Sequence, residues 1–82
     1  MIRYQVFLFA SLRERAGVDT LGIDLPEGAT AADLLERLGA LRPELAGGLR
    51  QVAVAVGHRI VPRDAPLPPG EEVALLPPVS GG

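Results

Sequence analysis

Hydrophobic and polar residues alternate with a period of two along several segments of the chain, and this spacing predicts β-strands. In residues 2–10 the even positions are apolar, so we expect that side of the strand to face inward. Residues 20–25 alternate in the same way, and residues 52–56 place valines on one face and alanines on the other. Two shorter strands are expected at residues 60–61 and 73–76.

Two other segments carry helix signals. Ser11 is predicted to be the N-cap of a short helix that ends at Gly17, with an acidic residue three positions after the cap completing a capping box. Thr30 precedes a longer helix with an acid at its third position, and Pro43 should end that helix. The leucines that follow at helical spacing, expected to face the core, are Leu34, Leu35, Leu38 and Leu41.

The order of these elements is strand, short helix, strand, long helix, strand, weak strand, strand. It predicts an α+β protein with the β-grasp (ubiquitin-like) architecture, a mixed sheet of four to five strands wrapped on one main helix. In that arrangement the first and last strands can pair at the centre of the sheet, and the C-terminus then leaves from the sheet's end. We therefore expect a β-grasp domain at residues 1–76 and a flexible tail at residues 77–82.

The tail begins with two prolines that stiffen its exit from the last strand and ends in two glycines. Its residues are Pro77, Pro78, Val79, Ser80, Gly81 and Gly82. At ~3.3 Å per residue, six residues can reach roughly 20 Å. Because glycine has no Cβ, the last two residues can pass through a channel too narrow for other side chains. We interpret the tail as a segment that inserts into a neighbouring protein; the alternative is a frayed end that happens to be rich in glycine.

Composition excludes several kinds of chemistry. The chain has no cysteine, and all eight of its basic residues are arginine. Disulfides, thiolate zinc sites and iron–sulfur clusters are therefore excluded on this chain. The net charge of −2 argues against a nucleic-acid partner. No apolar run approaches the ~20 residues of a membrane span, and no signal-peptide pattern opens the sequence, so we expect a cytoplasmic protein without a membrane partner.

The search for an active site within the chain finds no nucleophilic triad, phosphate-binding loop or dinucleotide fingerprint. His58 is the only histidine and is best explained as a turn residue, so no metal site is expected. Phe7 and Phe9 make the outward side of the first strand apolar, which indicates either a second packing layer or a docking patch. The one unusual reactive group that remains is the α-carboxylate of Gly82.

Three segments resemble the MoaD family, the small sulfur-carrier subunits of molybdopterin synthase. They are residues 7–14 (FLFASLRE), 25–30 (LPEGAT) and 69–82 (PGEEVALLPPVSGG). The resemblance spans nearly the whole chain, and its tail block is the most specific part. At Gly57 the family often has Asn, and both residues tolerate the positive φ of a tight turn.

The resemblance implies a reaction cycle at Gly82. A ubiquitin-activating-type adenylyltransferase would use Mg-ATP to couple the Gly82 carboxylate to AMP, and a sulfur donor would convert it to a thiocarboxylate. The tail would then enter the large synthase subunit, where sulfur is transferred to a cyclic pterin monophosphate. Two sulfurs per product imply two carriers, hence a heterotetramer. The chain by itself would be neither an enzyme nor the holder of a cofactor.

Both partners implied by the resemblance would bind one apolar surface of the carrier. The family's apolar contacts correspond here to Phe9, Ile60 and Leu76, and Phe7 lies on the same outward side of the first strand. Three alternatives remain open from the sequence. They are a thiamine-type sulfur carrier, a ubiquitin-like modifier conjugated to lysines through Gly82, and a plain interaction domain with an inert tail.

Overall fold

The computed structural model describes residues 1–78 of the 82-residue chain. A single sheet is formed by β1 (Ile2–Leu8), β2 (Thr20–Leu25), β3 (Ala53–Val56), β4 (Arg59–Val61) and β5 (Val73–Leu76). The helices are α1 (Ala10–Ala16), α2 (Ala31–Leu41) and α3 (Pro43–Ala46), and a 3₁₀ turn follows at Leu49–Gln51. Within residues 1–78 no helix has the length and apolar character needed to cross a bilayer.

The strand order in the sheet is β2-β1-β5-β3-β4. β1 and β5 lie side by side and parallel, whereas the other three neighbouring pairs are antiparallel. The predicted mixed sheet with the first and last strands at its centre is therefore confirmed. Because β5 occupies a central position, the chain leaves the sheet directly from its middle at Pro77.

The core lies between one face of the sheet and α2. On β1 the inward positions Tyr4, Val6 and Leu8 are at most 1% exposed, as the alternation predicts. Ala10 was expected on this inward face but is exposed, because β1 ends at Leu8 and the chain has already turned into α1. On α2 the first three leucines of the stripe are buried, but Leu41, its last residue, is 51% exposed.

The cap prediction for α1 was wrong at its start. The helix begins at Ala10, one residue before the expected cap Ser11, and its N-cap is Phe9, which forms no side-chain cap hydrogen bond. The reason is a backbone reversal at Ala10, whose φ is 50°, which joins the strand to the helix with almost no connecting loop. The predicted C-cap is confirmed, since Gly17 adopts the left-handed conformation at φ 77°.

The start of α2 follows its sequence signal closely. The Thr30 hydroxyl accepts a hydrogen bond from the Asp33 amide at 3.2 Å, and the Asp33 carboxylate accepts one from the Thr30 amide at 2.9 Å. This is a complete capping box, which satisfies two of the amides that a helix N-terminus leaves unpaired. The helix ends at Leu41, before Pro43, as expected.

Hydrogen bonds to β1 and to the segment at the start of α2 hold the loop between β4 and β5. The buried Tyr4 hydroxyl donates a hydrogen bond to the Leu67 carbonyl at 2.9 Å. The Leu67 amide donates to the Ala29 carbonyl at 2.9 Å, and the Ala31 amide donates to the Ala65 carbonyl at 3.0 Å. These bonds fix the path by which the chain returns to form β5 at the centre of the sheet.

Candidate docking surface and tail root

The outward face of the sheet, which α2 does not cover, carries a row of directly paired residues. Reading across the sheet from β4 to β2, the paired residues are Ile60, Ala55, Ala74, Phe7 and Thr20. Large side chains therefore flank two methyl groups at the centre of the row. Small residues between large ones make this part of the sheet concave.

This concavity is an apolar groove of about 340 Å³. Its lining residues are Phe7, Phe9, Ala55, His58, Ile60, Glu72, Ala74 and Leu76. Six of these eight side chains are apolar, and the two polar residues are both exposed. Ala55 is only 8% exposed although it lies on the outward face, because the larger side chains beside it shield its methyl group.

The four residues expected from the sequence to contact a partner lie together in this groove. Phe9 is 42%, Leu76 36% and Ile60 63% exposed, while Phe7 is half-buried. Large apolar side chains that remain accessible and contiguous are typical of a protein-binding surface. Their role in binding a partner stays a prediction, and the geometry makes it a physically reasonable one.

Sequence reasoning missed the floor and the polar rim of the groove. The floor consists of Ala55 and Ala74, and the rim includes His58 and Glu72. The alternation of alanine with valine in residues 52–56 was the available signal, because it placed methyl groups on the face that also carries large residues.

His58 lies in the turn between β3 and β4, where Gly57 and His58 both have positive φ, at 58° and 70°. Positive φ at both residues is the backbone conformation that a two-residue hairpin turn of type I′ requires, which supports the assignment of His58 as a turn residue.

At the other side of the sheet the outward face is polar. Arg3 of β1 and Asp24 of β2 are directly opposite each other and form two parallel contacts, Nε to Oδ1 at 2.9 Å and Nη2 to Oδ2 at 3.0 Å. The hydrogen bond from Arg3 lowers the pKa of the Asp24 carboxyl below its ordinary value. The same bond raises the pKa of the Arg3 guanidinium. This ion pair marks the end of the apolar part of the face.

The tail starts beside the groove. Leu76 is the last residue of β5 and lines the groove, and the half-buried Pro77 follows it directly. Of the predicted tail residues, Pro77 and Pro78 are described by the structure. Val79, Ser80, Gly81 and Gly82 lie outside the described residues, so the predicted reactivity of the Gly82 carboxylate stays a prediction.

Residues 1–78 contain no group of three or more histidine, aspartate or glutamate side chains arranged to hold a metal ion. The two polar residues at the groove, His58 and Glu72, are too few and too exposed for a built ligand site. The described residues form an apolar groove, and the tail begins at its edge.

These features define the class of protein. A five-stranded mixed sheet on one main helix, with parallel first and last strands at its centre, is the β-grasp fold of ubiquitin-like proteins. Residues 6–82 match the model of the ThiS family, and the chain belongs to that family.

Known relatives resemble the chain over its whole length. It is 37% identical over 83 residues to the molybdopterin synthase sulfur carrier subunit of Chlamydomonas reinhardtii, covering 99% of this chain and 100% of the relative. It is 32% identical to the protein of the same name from Dictyostelium discoideum, covering 98% and 96%.

Solved structures show the same fold in proteins with two different names. The small archaeal modifier protein 1 of H. volcanii has a TM-score of 0.85 at 28% identity, covering 96% of this chain and all of that one. A complex of subunits 1 and 2 of the molybdopterin-converting factor from Helicobacter pylori contains a chain with a TM-score of 0.65 at 25% identity, covering 99% and 100%.

Proposed function

We propose that this chain is a sulfur carrier protein, the small subunit of a molybdopterin synthase, and that the Gly82 carboxylate is the group that carries sulfur. The observation that supports this most directly is the position of the apolar groove. Leu76 lines the groove and is followed at once by Pro77. A protein that covers the groove would therefore also lie beside the start of the tail. The names of the curated relatives support the same assignment.

The first partner is a ubiquitin-activating-type adenylyltransferase that uses Mg-ATP. A carboxylate is a poor electrophile, so the Gly82 carboxylate must first attack the α-phosphorus of ATP, forming an acyl-adenylate and releasing pyrophosphate. A sulfur nucleophile at the oxidation level of sulfide then adds to the acyl carbon and displaces AMP. The product is a thiocarboxylate at Gly82, whose sulfur is a far better nucleophile than the original oxygen.

The second partner is the large synthase subunit. The tail, which carries the thiocarboxylate at Gly82, enters the active site of that subunit. There the terminal sulfur forms a carbon–sulfur bond to the cyclic pterin monophosphate as a carbon–oxygen bond of that substrate breaks. Water then cleaves the acyl–sulfur bond, which leaves the sulfur on the pterin and returns Gly82 to a carboxylate. Because the dithiolene product needs two sulfurs, we assign two carriers to one dimer of the large subunit, a heterotetramer. The complex of two subunits from Helicobacter pylori supports a large-subunit partner of this kind.

Both partners would use the apolar groove, so their binding should be mutually exclusive. Full burial of a large apolar side chain contributes about 1.5 to 3 kcal/mol before the costs of association. Phe9, Ile60 and Leu76 are 36–63% exposed in the free chain, so each can contribute only part of that amount. Together they can still supply a useful part of the roughly 8 kcal/mol of binding free energy that corresponds to a micromolar Kd.

A second candidate function is a protein modifier joined to target lysines through Gly82. The likeness to the small archaeal modifier protein 1 favours it, and activation by adenylation would be common to both functions. A thiamine-type sulfur carrier is a third candidate, since it would share the activation and the thiocarboxylate and differ only in the acceptor of the sulfur.

The test is intact-mass spectrometry of the purified chain after incubation with ATP, Mg²⁺, the activating enzyme and sulfide. We expect a gain equal to the mass difference between a sulfur and an oxygen atom, and no gain in a variant that lacks Gly82. Transfer of that sulfur to cyclic pterin monophosphate by the large subunit separates the molybdopterin role from the thiamine role. Conjugates of higher mass in a lysate would favour the modifier. An unchanged mass for the wild-type chain would contradict the proposal.

A further inference from the structure

A second cavity, of about 300 Å³, lies at the root of the tail. It is formed where α1, the turn after α3 and the first two tail residues meet. Its lining residues are Ser11, Leu12, Arg15, Gly47, Gly48, Arg50, Gln51, Pro77 and Pro78. This cavity shares no lining residue with the apolar groove. The two are linked only because Leu76 of the groove is followed in the chain by Pro77 of the cavity.

The cavity is positively charged. Among the lining residues that the structure describes, Arg15 and Arg50 contribute the only charged side chains, and none is acidic. Neither arginine forms a salt bridge with another residue of the part of the chain that the structure describes, in contrast to Arg3 and Arg42. The whole chain has a net charge of −2, so the charge at this cavity is opposite in sign to the net charge of the molecule.

Arg15 and Arg50 both line the cavity, and both are exposed. Nη1 of Arg15 lies 3.8 Å from the position that a Cβ on Gly48 would occupy, which places this guanidinium beside Gly48 at the cavity wall. The same Cβ would lie 3.2 Å from Cδ2 of Leu12, a contact tight enough to require a shift in the cavity wall.

Arg50 is placed by a third arginine. Nη2 of Arg63 lies 2.7 Å from the Arg50 carbonyl oxygen, 3.1 Å from that of Val52 and 3.3 Å from that of Leu49. This guanidinium therefore holds the 3₁₀ turn that carries Arg50, and the exposed Arg50 side chain projects from a fixed backbone.

We propose that this cavity is a subsite for carboxylate side chains on the protein that receives the tail, an inference that rests on the function proposed above. A partner that covers the apolar groove and takes in Gly82 lies over Pro77 and Pro78, so the rim of its channel faces Arg15 and Arg50. Guanidinium groups form strong, charge-assisted hydrogen bonds with carboxylates and match their planar shape. The rim of the receiving channel should therefore carry aspartate or glutamate.

A partner's carboxylate bound in this cavity would lie far from the phosphate that reacts at Gly82. Four residues separate Pro78 from the terminal carboxylate, and an extended chain of that length reaches up to roughly 13 Å. A phosphate that reacts at Gly82 therefore lies beyond the tail, whereas a partner's carboxylates lie at its root. The two arginines would act early, by attracting and orienting the partner before the tail is fully inserted.

The test is the rate of association with the large subunit for the variants Arg15→Glu and Arg50→Glu. Arg37→Glu on α2 is the matched control, because it makes the same charge change on an exposed residue away from the cavity. We expect each cavity variant to associate about 10-fold more slowly at low salt, with the difference shrinking as ionic strength rises, and the control to stay within about 2-fold of wild type. Arg15→Gln and Arg50→Gln should show smaller losses in the same direction.

Equal rates for the cavity variants and the control would overturn the proposal, provided that the wild-type chain binds and gains sulfur. A wild-type chain that does neither would overturn the proposed function and this inference with it. Titration with inorganic phosphate, followed by the amide resonances of Gly47 and Gly48, tests the other source of negative charge. Saturable shifts there, with partner association unaffected by the arginine variants, would assign the cavity to a small anion instead.

Discussion

Ala55 of β3 lies directly opposite Ala74 of β5, and their methyl groups form the floor of the apolar groove. These two residues are 19 positions apart in the sequence and are paired only because β5 returns to the centre of the sheet. With Phe7 and Ile60 beside them, they give the outward face a concave shape that a protruding apolar side chain of a partner can fill.

Replacing Ala74 by Leu should block docking without unfolding the domain. Ala74 is half-buried on the outward face, so a larger side chain can extend into the groove instead of the core. We expect binding to the large subunit to weaken by 10-fold or more, which corresponds to at least ~1.4 kcal/mol of binding free energy, because the leucine occupies space that the partner needs. Isothermal titration calorimetry measures the affinity, and urea denaturation checks the fold.

Gln5→Leu is the matched control for that variant. Gln5 lies on the outward face of β1, two residues from Phe7, but it does not line the groove. The Gln5→Leu variant adds a similar apolar side chain to the same face, and its affinity for the large subunit should equal that of the wild type. Equal weakening in both variants would mean that the partner binds the sheet face in general and that the groove has no special role.

Phe9→Glu and Leu76→Glu should abolish partner binding while the domain stays folded. Both side chains are more than a third exposed, so a carboxylate at either position remains hydrated in the free chain but would be desolvated in a complex. Leu41→Glu, at an apolar residue that is 51% exposed on α2, is the control and should bind normally. Circular dichroism and a binding assay give the two readouts; unfolding of either groove variant would show that its residue belongs to the core.

Tyr4→Phe should lower the free energy of unfolding by about 1 to 3 kcal/mol. The substitution removes the hydroxyl that donates to the Leu67 carbonyl and leaves that buried acceptor without its partner. Chemical denaturation measures the loss. Because Tyr4 faces the core, binding at the groove should be unchanged, and an unaltered unfolding midpoint would mean that water or a shifted loop replaces the bond.

Acid should destabilise the wild-type chain more than the variant Asp24→Asn. The hydrogen bond and ion pair with Arg3 lower the pKa of Asp24 in the folded state below its ordinary value, which the unfolded chain retains. The stabilisation by this pair is therefore fully present above that ordinary value and is lost as the pH falls through the lowered pKa.

Urea midpoints measured between about pH 5 and pH 2 test this dependence. The fall in midpoint should be smaller for Asp24→Asn than for the wild type, and Arg3→Gln should show the same reduced slope. The double variant should add nothing further, because both substitutions remove one interaction. Since both groups are exposed, the effect should be small, and parallel curves for all four proteins would contradict it.

Local signals along the chain were enough to determine the elements and several of their ends. Alternation predicted three strands and short apolar runs after turns predicted two more, and the sequence around Thr30 and Asp33 predicted a capping box that the structure contains in full. Gly17 and the turn at Gly57 followed from the freedom of glycine at positive φ. These features depend on contacts within a few residues, so a sequence pattern can report them. The start of α1 did not follow its pattern, because a reversal at Ala10 joined it directly to β1.

What only the tertiary structure decided is how distant segments share a surface. The pairing of Ala55 with Ala74 made a groove floor from residues that look unremarkable in the sequence. The contact of Arg63 with the 3₁₀ turn, and the meeting of Arg15 and Arg50 beside Pro77, likewise join parts of the chain that no periodicity connects. Strand pairing and packing depend on the register between segments far apart along the chain, and that register is set by the burial of the whole core rather than by any local spacing.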